Sequence, residues 1–433
     1  MNDASPIPND LDSFWMPFTS SRAFKAAPRL VSGAKGLYYT TVDGREVFDG
    51  TGGLWCSNAG HGHPRIIEAI QKQAAEMDFA HCFGQGHPIA FQAASRMVAL
   101  APGFDHVFFT NSGSESVDTA LKIALGYHSA RGEGQRRILV GRQKAYHGIN
   151  FGGLSVGGIG LNKGQFGTLY PSAQHLRHTN LAENRMSKGQ PETGAHLAED
   201  LAMICETHGG HNVAAVIVEP VAGAGGVFPP PKGYLERLRE ICDQHGILLI
   251  FDEVITGFGR MGTPFASQHF GVKPDIFTAA KGMTNATVPM GGVFTTAKVR
   301  EAFRSGPEAL PDLFHGYTYS GHPLASAAAI ATLDVYRDEG IFENAAKMAP
   351  IWEEMLHSFA DVPDVIDIRN MGLIGAMEID PNSSRTAPEL AKKAWDIGLS
   401  FRPIGNNFAM SPPLTIDEEH IGKVKDMLTK VLR

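Results

Sequence analysis

The middle of the chain alternates between short apolar segments and segments with helical spacing. Val213–Val218 is a continuous apolar run, and Ile247–Phe251 and Ile276–Ala280 have the same composition. Between the first two, Pro231–His245 places its apolar residues at helical spacing. Strands without a polar face must be covered on both sides, which is typical of a parallel sheet between layers of helices. The sequence therefore predicts an α/β fold whose ligands collect at the carboxyl ends of the strands.

The rest of the chain extends this sheet and adds a second, smaller unit. The other predicted elements are the strands Arg137–Val140 and Gly292–Thr296, the helices Ser114–Arg131, 321–339 and 341–359, the β segments Val365–Arg369 and Gly375–Ile379, and a final helix after Asp417. A chain of 433 residues exceeds the usual size of one domain. We expect an N-terminal segment, 1–60, that packs with the small domain, a large domain, 61–325, and a small α+β domain, 326–433.

Charge and composition exclude several kinds of protein. The net charge is −7 and no Lys/Arg run occurs, so no basic surface for nucleic acid is expected. The four cysteines are scattered, which indicates reduced thiols rather than a disulfide framework. The first twelve residues lack the features of a signal peptide, and no apolar run approaches the roughly 18 residues of a membrane span. We expect a cytoplasmic protein that does not bind membranes.

Three of the strand ends carry charged residues, namely Glu219, Asp252 and Lys281. A lone lysine after a strand usually extends its charge to water, and Asp252 alone could equally cap a helix. Together they match the needs of an enzyme that uses pyridoxal 5'-phosphate (PLP). Such an enzyme needs a lysine amine that bonds to the cofactor and a carboxylate that keeps the pyridine nitrogen protonated. Asp252 and Lys281 at neighbouring strand ends can meet both needs.

A possible phosphate site precedes the predicted helix Ser114–Arg131. Ser112, Gly113 and Ser114 combine small residues, hydroxyl groups and the N–H groups of a helix N-terminus, which are the donors that phosphate requires. An ordinary capping box explains the same residues and is favoured when they are taken alone.

Two other motifs do not support a site. Gly257–Gly262 matches the GxGxxG dinucleotide pattern, but Pro264 is a poor helix start and no acidic residue follows at the expected distance. Four histidines are close in sequence but occur in loop contexts rather than at helical i, i+4 spacing, so structural roles are expected for His61, His63, His81 and His87.

Taken in order, the motifs resemble those of the class III (omega) aminotransferases. The motifs that carry the resemblance are Asn111–Ser116, Tyr146-His147-Gly148, Glu219-Pro220, Asp252–Arg260, Lys281-Gly282 and Thr318–Pro323. The resemblance covers the chain from about Trp15 onward. It is greatest to the β-alanine (omega-amino acid):pyruvate aminotransferases, because of the segments Phe14–Thr19 and Gly53–Cys56.

The resemblance implies a PLP-dependent transferase of fold type I, with a mainly parallel seven-stranded sheet and a smaller α+β domain formed by both termini. It implies that Lys281 is the Schiff-base lysine and proton shuttle and that Asp252 pairs with the pyridine nitrogen. The ring would lie between Tyr146 and Val254. Ser112, Gly113, Ser114 and Glu219 complete the cofactor-binding set of this subunit.

The same resemblance assigns residues to the substrate and to a partner subunit. Thr318 would complete the phosphate site of the neighbouring subunit, which makes a homodimer the smallest catalytic unit and leaves a homotetramer open. Trp55 would line the substrate pocket. In the ornithine and GABA branches an arginine at the place of Ala409 pairs with the glutamate equivalent to Glu219. Here Arg402 instead matches the mobile arginine that binds the carboxylate of pyruvate or alanine.

The resulting hypothesis is a transaminase that transfers an amino group from a β-alanine-like omega-amino acid to pyruvate, with pyridoxamine phosphate formed between the two halves of the reaction. An amine, diamine or taurine:pyruvate transaminase is the nearest alternative. A PLP racemase or aminomutase, or a PLP-binding protein without activity, is a more distant one.

Overall fold

The computed structural model describes residues 11–167 and 169–433, and a seven-stranded sheet forms its centre. Across the sheet the strands are His106–Thr110, Gly291–Thr295, Ile276–Ala279, Leu248–Asp252, Val213–Val218, Ile138–Arg142 and Ala173–Leu176. Only Gly291–Thr295 runs antiparallel to its neighbours, and the other pairings are parallel. The prediction of a mainly parallel seven-stranded sheet is therefore confirmed.

Both faces of this sheet are covered by helices, as strands without a polar face require. Val216 and Val218 belong to a core cluster that includes the helix Tyr234–His245. Ala215 and Ile217, which point to the opposite face, belong to a second cluster that includes the helix Gly113–Ala130. In the described residues the two faces of the central sheet are thus covered, and the polar ends of its strands are available for a site.

A helix occurs at each segment where apolar spacing predicts one, with boundaries that differ by a few residues, and further helices that were not predicted include Glu199–His208 and Ala387–Asp396. The described helices are Ser21–Ala26, Pro64–Glu76, Pro88–Ala99, Gly113–Ala130, Phe151–Val156, Gly160–Lys163, Glu199–His208, Tyr234–His245, Ala266–Phe270, Ala297–Glu301, Pro323–Asp338, Ile341–His357, Ala387–Asp396 and Glu418–Leu432, with a distorted turn at Gly52–Trp55. None of the helices in the described residues is long and apolar enough to cross a membrane.

Two four-stranded sheets lie outside the central one. The first consists of Val31–Lys35, Tyr38–Thr41, Glu46–Asp49 and Leu399–Ser400. The second consists of Val365–Met371, Ile374–Ile379, Asn407–Met410 and Arg402–Ile404. Because Leu399–Ser400 pairs in parallel with Glu46–Asp49, residues near the two ends of the chain share a sheet. The domain boundaries at 60 and 325 stay a prediction.

The rejected sequence motifs have other structural uses. Gly257–Gly262 forms turns after the strand Leu248–Asp252, without the helix that a dinucleotide site needs. Among the histidines, His61 pairs with Asp49 and His63 with Glu339.

Candidate active site

Lys281 follows the central strand Ile276–Ala279 and begins a short 3-10 turn. Its φ of 49° lies in the left-handed region, which a residue with a side chain adopts only when its surroundings hold it there. Burial lowers the pKa of its amine to about 8, against opposing effects of Cys56, Asp252 and Glu219. About a tenth of this amine is therefore neutral and nucleophilic at pH 7, far more than for a lysine with an ordinary pKa.

Asp252 ends the neighbouring strand and is 6% exposed. Its Oδ2 lies 2.8 Å from Nδ1 of buried His147, and its Oδ1 accepts hydrogen bonds from Thr278 Oγ1 at 3.1 Å and Val254 N at 3.2 Å. These partners fix the direction of a carboxylate that faces a cavity. Such a carboxylate suits a cationic ring nitrogen.

The helix Gly113–Ala130 points its N-terminus at the same cavity. Ser112 is the N-cap, and its Oγ accepts a hydrogen bond from Glu115 N at 3.2 Å, so the capping role considered from sequence is present. The first N–H groups of a helix have no partner within the helix and can bind an anion. A Cβ at Gly113 would lie 2.9 Å from Val254 Cγ1, which explains the need for glycine there.

Glu219 ends the strand Val213–Val218 and is also buried. In the absence of an arginine at position 409, its carboxylate accepts hydrogen bonds from the backbone N–H groups of Tyr146 and Gly223, each at 2.9 Å. Burial raises the pKa of Glu219. Glu219 therefore holds the backbone of Tyr146 in place instead of forming an ion pair.

These groups surround one cavity of about 140 Å³. Its lining residues are Ser112, Gly113, Ser114, Tyr146, His147, Gly148, Glu219, Asp252, Val254, Ile255 and Lys281. All the cofactor-binding residues predicted for this subunit are in this set. His147, Gly148 and Ile255 were not assigned a role from sequence. The position of His147 between Tyr146 and Gly148 in the quoted motif was the available signal.

Trp55 and Arg402 lie beside the cavity rather than in its lining. Trp55 is 3% exposed, and its ring centre is 5.9 Å from Lys281 Nζ. Arg402 is exposed on its short strand, yet its charge acts on the site. Burial, then Asp252, raises the pKa of Tyr146 and Arg402 opposes this rise, whereas at Lys281 Arg402 adds the smallest contribution to a pKa that burial lowers. Thr318 is exposed and does not line this cavity, and its assignment to a neighbouring subunit stays a prediction.

The side chains fit PLP by their chemistry. An amine with a lowered pKa, a fixed carboxylate and a helix N-terminus with small residues face one cavity. They match the aldehyde, the pyridine nitrogen and the phosphate of the cofactor, respectively.

Comparison with known proteins decides the family. The family model described as aminotransferase class-III matches residues 19–432. The chain belongs to the class III aminotransferases. Members of this class depend on PLP and act on small-molecule amines and keto acids, so the enzyme is a transaminase with this cofactor. This membership favours the aminotransferase hypothesis over a racemase or a PLP-binding protein without activity.

Relatives of this class III aminotransferase cover its whole length. An omega-aminotransferase of Caulobacter vibrioides is 56% identical over 98% of both chains. A β-alanine–pyruvate aminotransferase of Pseudomonas aeruginosa is 42% identical over 100% of this chain and 98% of its own. The PLP-bound crystal structure of an amine transaminase from an uncultivated Pseudomonas species is 35% identical, covers 98% of this chain and 99% of its own, and superposes with a TM-score of 0.91.

Proposed function

We propose that this aminotransferase transfers the amino group of a β-alanine-like omega-amino acid to pyruvate. The observation that carries the proposal is the position of Arg402. It lies directly opposite Ala409 on an antiparallel pair, so residues 402 and 409 share one face of the hairpin. An arginine near Lys281 can bind the carboxylate of pyruvate through two parallel hydrogen bonds.

The proposed roles follow from the geometry of the cavity. PLP, when bound, supplies an electron sink for the bond that is broken next to the substrate nitrogen. Lys281 Nζ takes the proton from the substrate carbon that carries this nitrogen, which its lowered pKa favours. Asp252, held by His147, stabilises a proton on the ring nitrogen. Tyr146 and Val254, which both line the cavity, would hold the cofactor ring between them.

The substrate side of the cavity is assigned to the two residues next to it. Trp55, buried against the site, limits the size of the amine. Arg402 binds the carboxylate of the keto acid and, being exposed on an edge strand, can leave the cleft when the donor is uncharged. That exposure also favours an amine or diamine:pyruvate transaminase as a second candidate, and taurine, whose sulfonate could pair with Arg402 as a carboxylate would, is the remaining alternative donor.

A homodimer is part of the proposal, and an apolar surface around Thr318 supports it. Phe79 packs edge-on against Tyr319, with ring centres 5.7 Å apart, and Phe83 lies against Gly316. The side chains of all three aromatic residues are substantially exposed. Contiguous exposed aromatic residues mark an interaction surface, and a second subunit there would bring Thr318 to the partner's phosphate site. A homotetramer is compatible with the same surface.

The half-reaction with β-alanine tests the proposed function. PLP-loaded enzyme is mixed with β-alanine in the absence of a keto acid, and its visible spectrum is followed. We expect the absorption of bound PLP to change to that of pyridoxamine phosphate, and pyruvate to restore it. A spectrum that responds to aromatic amines or putrescine but not to β-alanine would replace the proposed donor with the second candidate. If another keto acid restores the absorption of PLP and pyruvate does not, that keto acid replaces pyruvate as the proposed acceptor.

A further inference from the structure

The loop 50–56, which carries Trp55, has an unusual backbone. Gly52, Gly53 and Trp55 have φ values of 52°, 70° and 67°. Two glycines adopt this region readily, but a tryptophan does so only when other contacts hold it. The position of Trp55 beside Lys281 therefore depends on groups that fix the loop.

Buried Asp49 is the group that fixes it. Its Oδ1 accepts hydrogen bonds from both N and Oγ1 of Thr51, each at 3.0 Å, and its Oδ2 accepts one from Gly53 N at 2.5 Å. On the outer side, Nε2 of His61 lies 2.7 Å from the same Oδ2, and the ring of Tyr39 packs on His61 at 4.7 Å. One carboxylate thus gathers the donors of the strained loop.

The same loop is bonded to both ends of the hairpin that carries Arg402. Gly50 N donates to Ser400 O at 2.9 Å, and Ser411 N donates to Gly50 O at 2.8 Å. Ser411 Oγ also donates to Thr51 O at 3.2 Å. A Cβ at Gly50 would lie 2.5 Å from Ser400 O, so the two segments are in direct backbone contact. A displacement of the loop would be transmitted to the strand ends beside Arg402.

We propose that Asp49 is a positioning residue that holds Trp55 and Arg402 in register around Lys281 by organising the loop 50–56. Asp49 contacts neither substrate nor cofactor in this assignment. The inference rests on the proposed function, because that proposal assigns Trp55 and Arg402 to the substrate. It adds that the two walls of the substrate pocket are coupled through one buried carboxylate.

Asp49→Asn tests the coupling with little change of shape, because it replaces one acceptor oxygen with an NH₂ group. We expect kcat/KM for both the amine and pyruvate to fall about 10- to 100-fold, mainly through KM, the size expected for losing hydrogen bonds to a charged group. Hydrogen exchange of the Thr51 and Gly53 amides should become faster, and the affinity for PLP should stay unchanged. Asp43→Asn is the matched control, since Asp43 is an exposed carboxylate on the hairpin that precedes the loop. It should leave all these values unchanged.

Thr51→Val is the second variant, in case Asp49→Asn does not fold. It removes the Oγ1 group, which bonds both Asp49 Oδ1 at 3.0 Å and Gly53 O at 2.9 Å within the same loop, and should raise both KM values a few-fold while PLP affinity is kept. The proposal would be overturned if either variant showed unchanged amide exchange and unchanged KM values. It would also be overturned if activity fell only in proportion to the amount of folded protein while the KM values stayed normal. The wild-type enzyme could show no spectral change with β-alanine while the loop amides still exchange faster in Asp49→Asn. In that case the proposed donor is wrong, but the role of Asp49 in ordering the loop stands.

Discussion

The cofactor side and the substrate side of the site are built from different parts of the chain. Lys281, Asp252 and Glu219 lie at the ends of adjacent strands of the central sheet, which is covered on both faces. Trp55 and Arg402 come from a loop and a short edge strand near the two ends of the chain. The residues proposed to carry out the chemistry therefore lie on the rigid central sheet. Under the proposed assignment, donor and acceptor preference depends on segments that can differ between relatives without disturbing that core.

If the core holds the chemistry, Lys281→Ala should have the largest effect. We expect turnover to fall at least about 10⁴-fold, because both the bond to PLP and the proton transfer are lost. Steady-state rates would be compared with those of Lys298→Ala, a control at a mostly exposed lysine that pairs only weakly with Asp275. More than a trace of activity in the Lys281 variant would contradict its assignment.

Asp252→Asn should come next. We expect kcat to fall about 10²- to 10³-fold, because an amide cannot stabilise a protonated ring nitrogen as a carboxylate does. The fold should be kept, since Thr278 Oγ1 and Val254 N can still donate to the remaining oxygen. Near-normal rates, with PLP bound, would remove the proposed electrostatic role. Asp243→Asn, at an exposed carboxylate, is the control.

On the substrate side, Arg402→Gln should separate the two halves of the reaction. We expect kcat/KM for pyruvate to fall about 100-fold, because a bidentate charged contact is lost, while the half-reaction with an uncharged amine changes little. Arg402→Lys keeps the charge but not the paired geometry and should give an intermediate loss. Equal losses with both substrates would place Arg402 in a general structural role.

The stability of the protein without PLP, rather than its rate, should also depend on Lys281. The pKa of Lys281 is lowered to about 8 from 10.5, so between these values the unfolded chain binds more protons than the folded one. The free energy of unfolding should therefore rise as pH increases from 8 to 10.5, by at most about 3 kcal/mol. Urea unfolding of the PLP-free protein and of Lys281→Met would be compared at both pH values. The variant should lack this increment, and an equal rise in both would exclude Lys281 as its source.

Much of the central sheet was predictable because its strands are apolar on both faces. The strands His106–Thr110 and Ala173–Leu176 were not predicted, since they lie at the edges and carry polar residues. The hairpin Arg402–Met410 was also missed, because its strands are only three and four residues long. The reversed direction of Gly291–Thr295 leaves no signal in its composition.

The residues of the site likewise divide into those that the sequence reveals and those that only the structure reveals. Lys281, Asp252 and the residues at 112–114 could be found because each belongs to a strand end or a helix start. The partner of Asp252 could not, because the contact between His147 and Asp252 joins residues 105 positions apart. The role of Asp49 is still harder to find, since an aspartate near glycines suggests an ordinary turn until its contacts with Thr51, Gly53 and His61 are seen in space.

The parallel pairing of Glu46–Asp49 with Leu399–Ser400 sets an order of events during synthesis of the protein. The strand ends that hold PLP have all left the ribosome by the time residue 320 is exposed, whereas the sheet that carries Asp49 lacks its last strand for about 80 residues more. A contact of such long sequence separation forms late and slowly. The share of the cofactor site that this subunit contributes should therefore be able to form before the substrate side of the same subunit is complete.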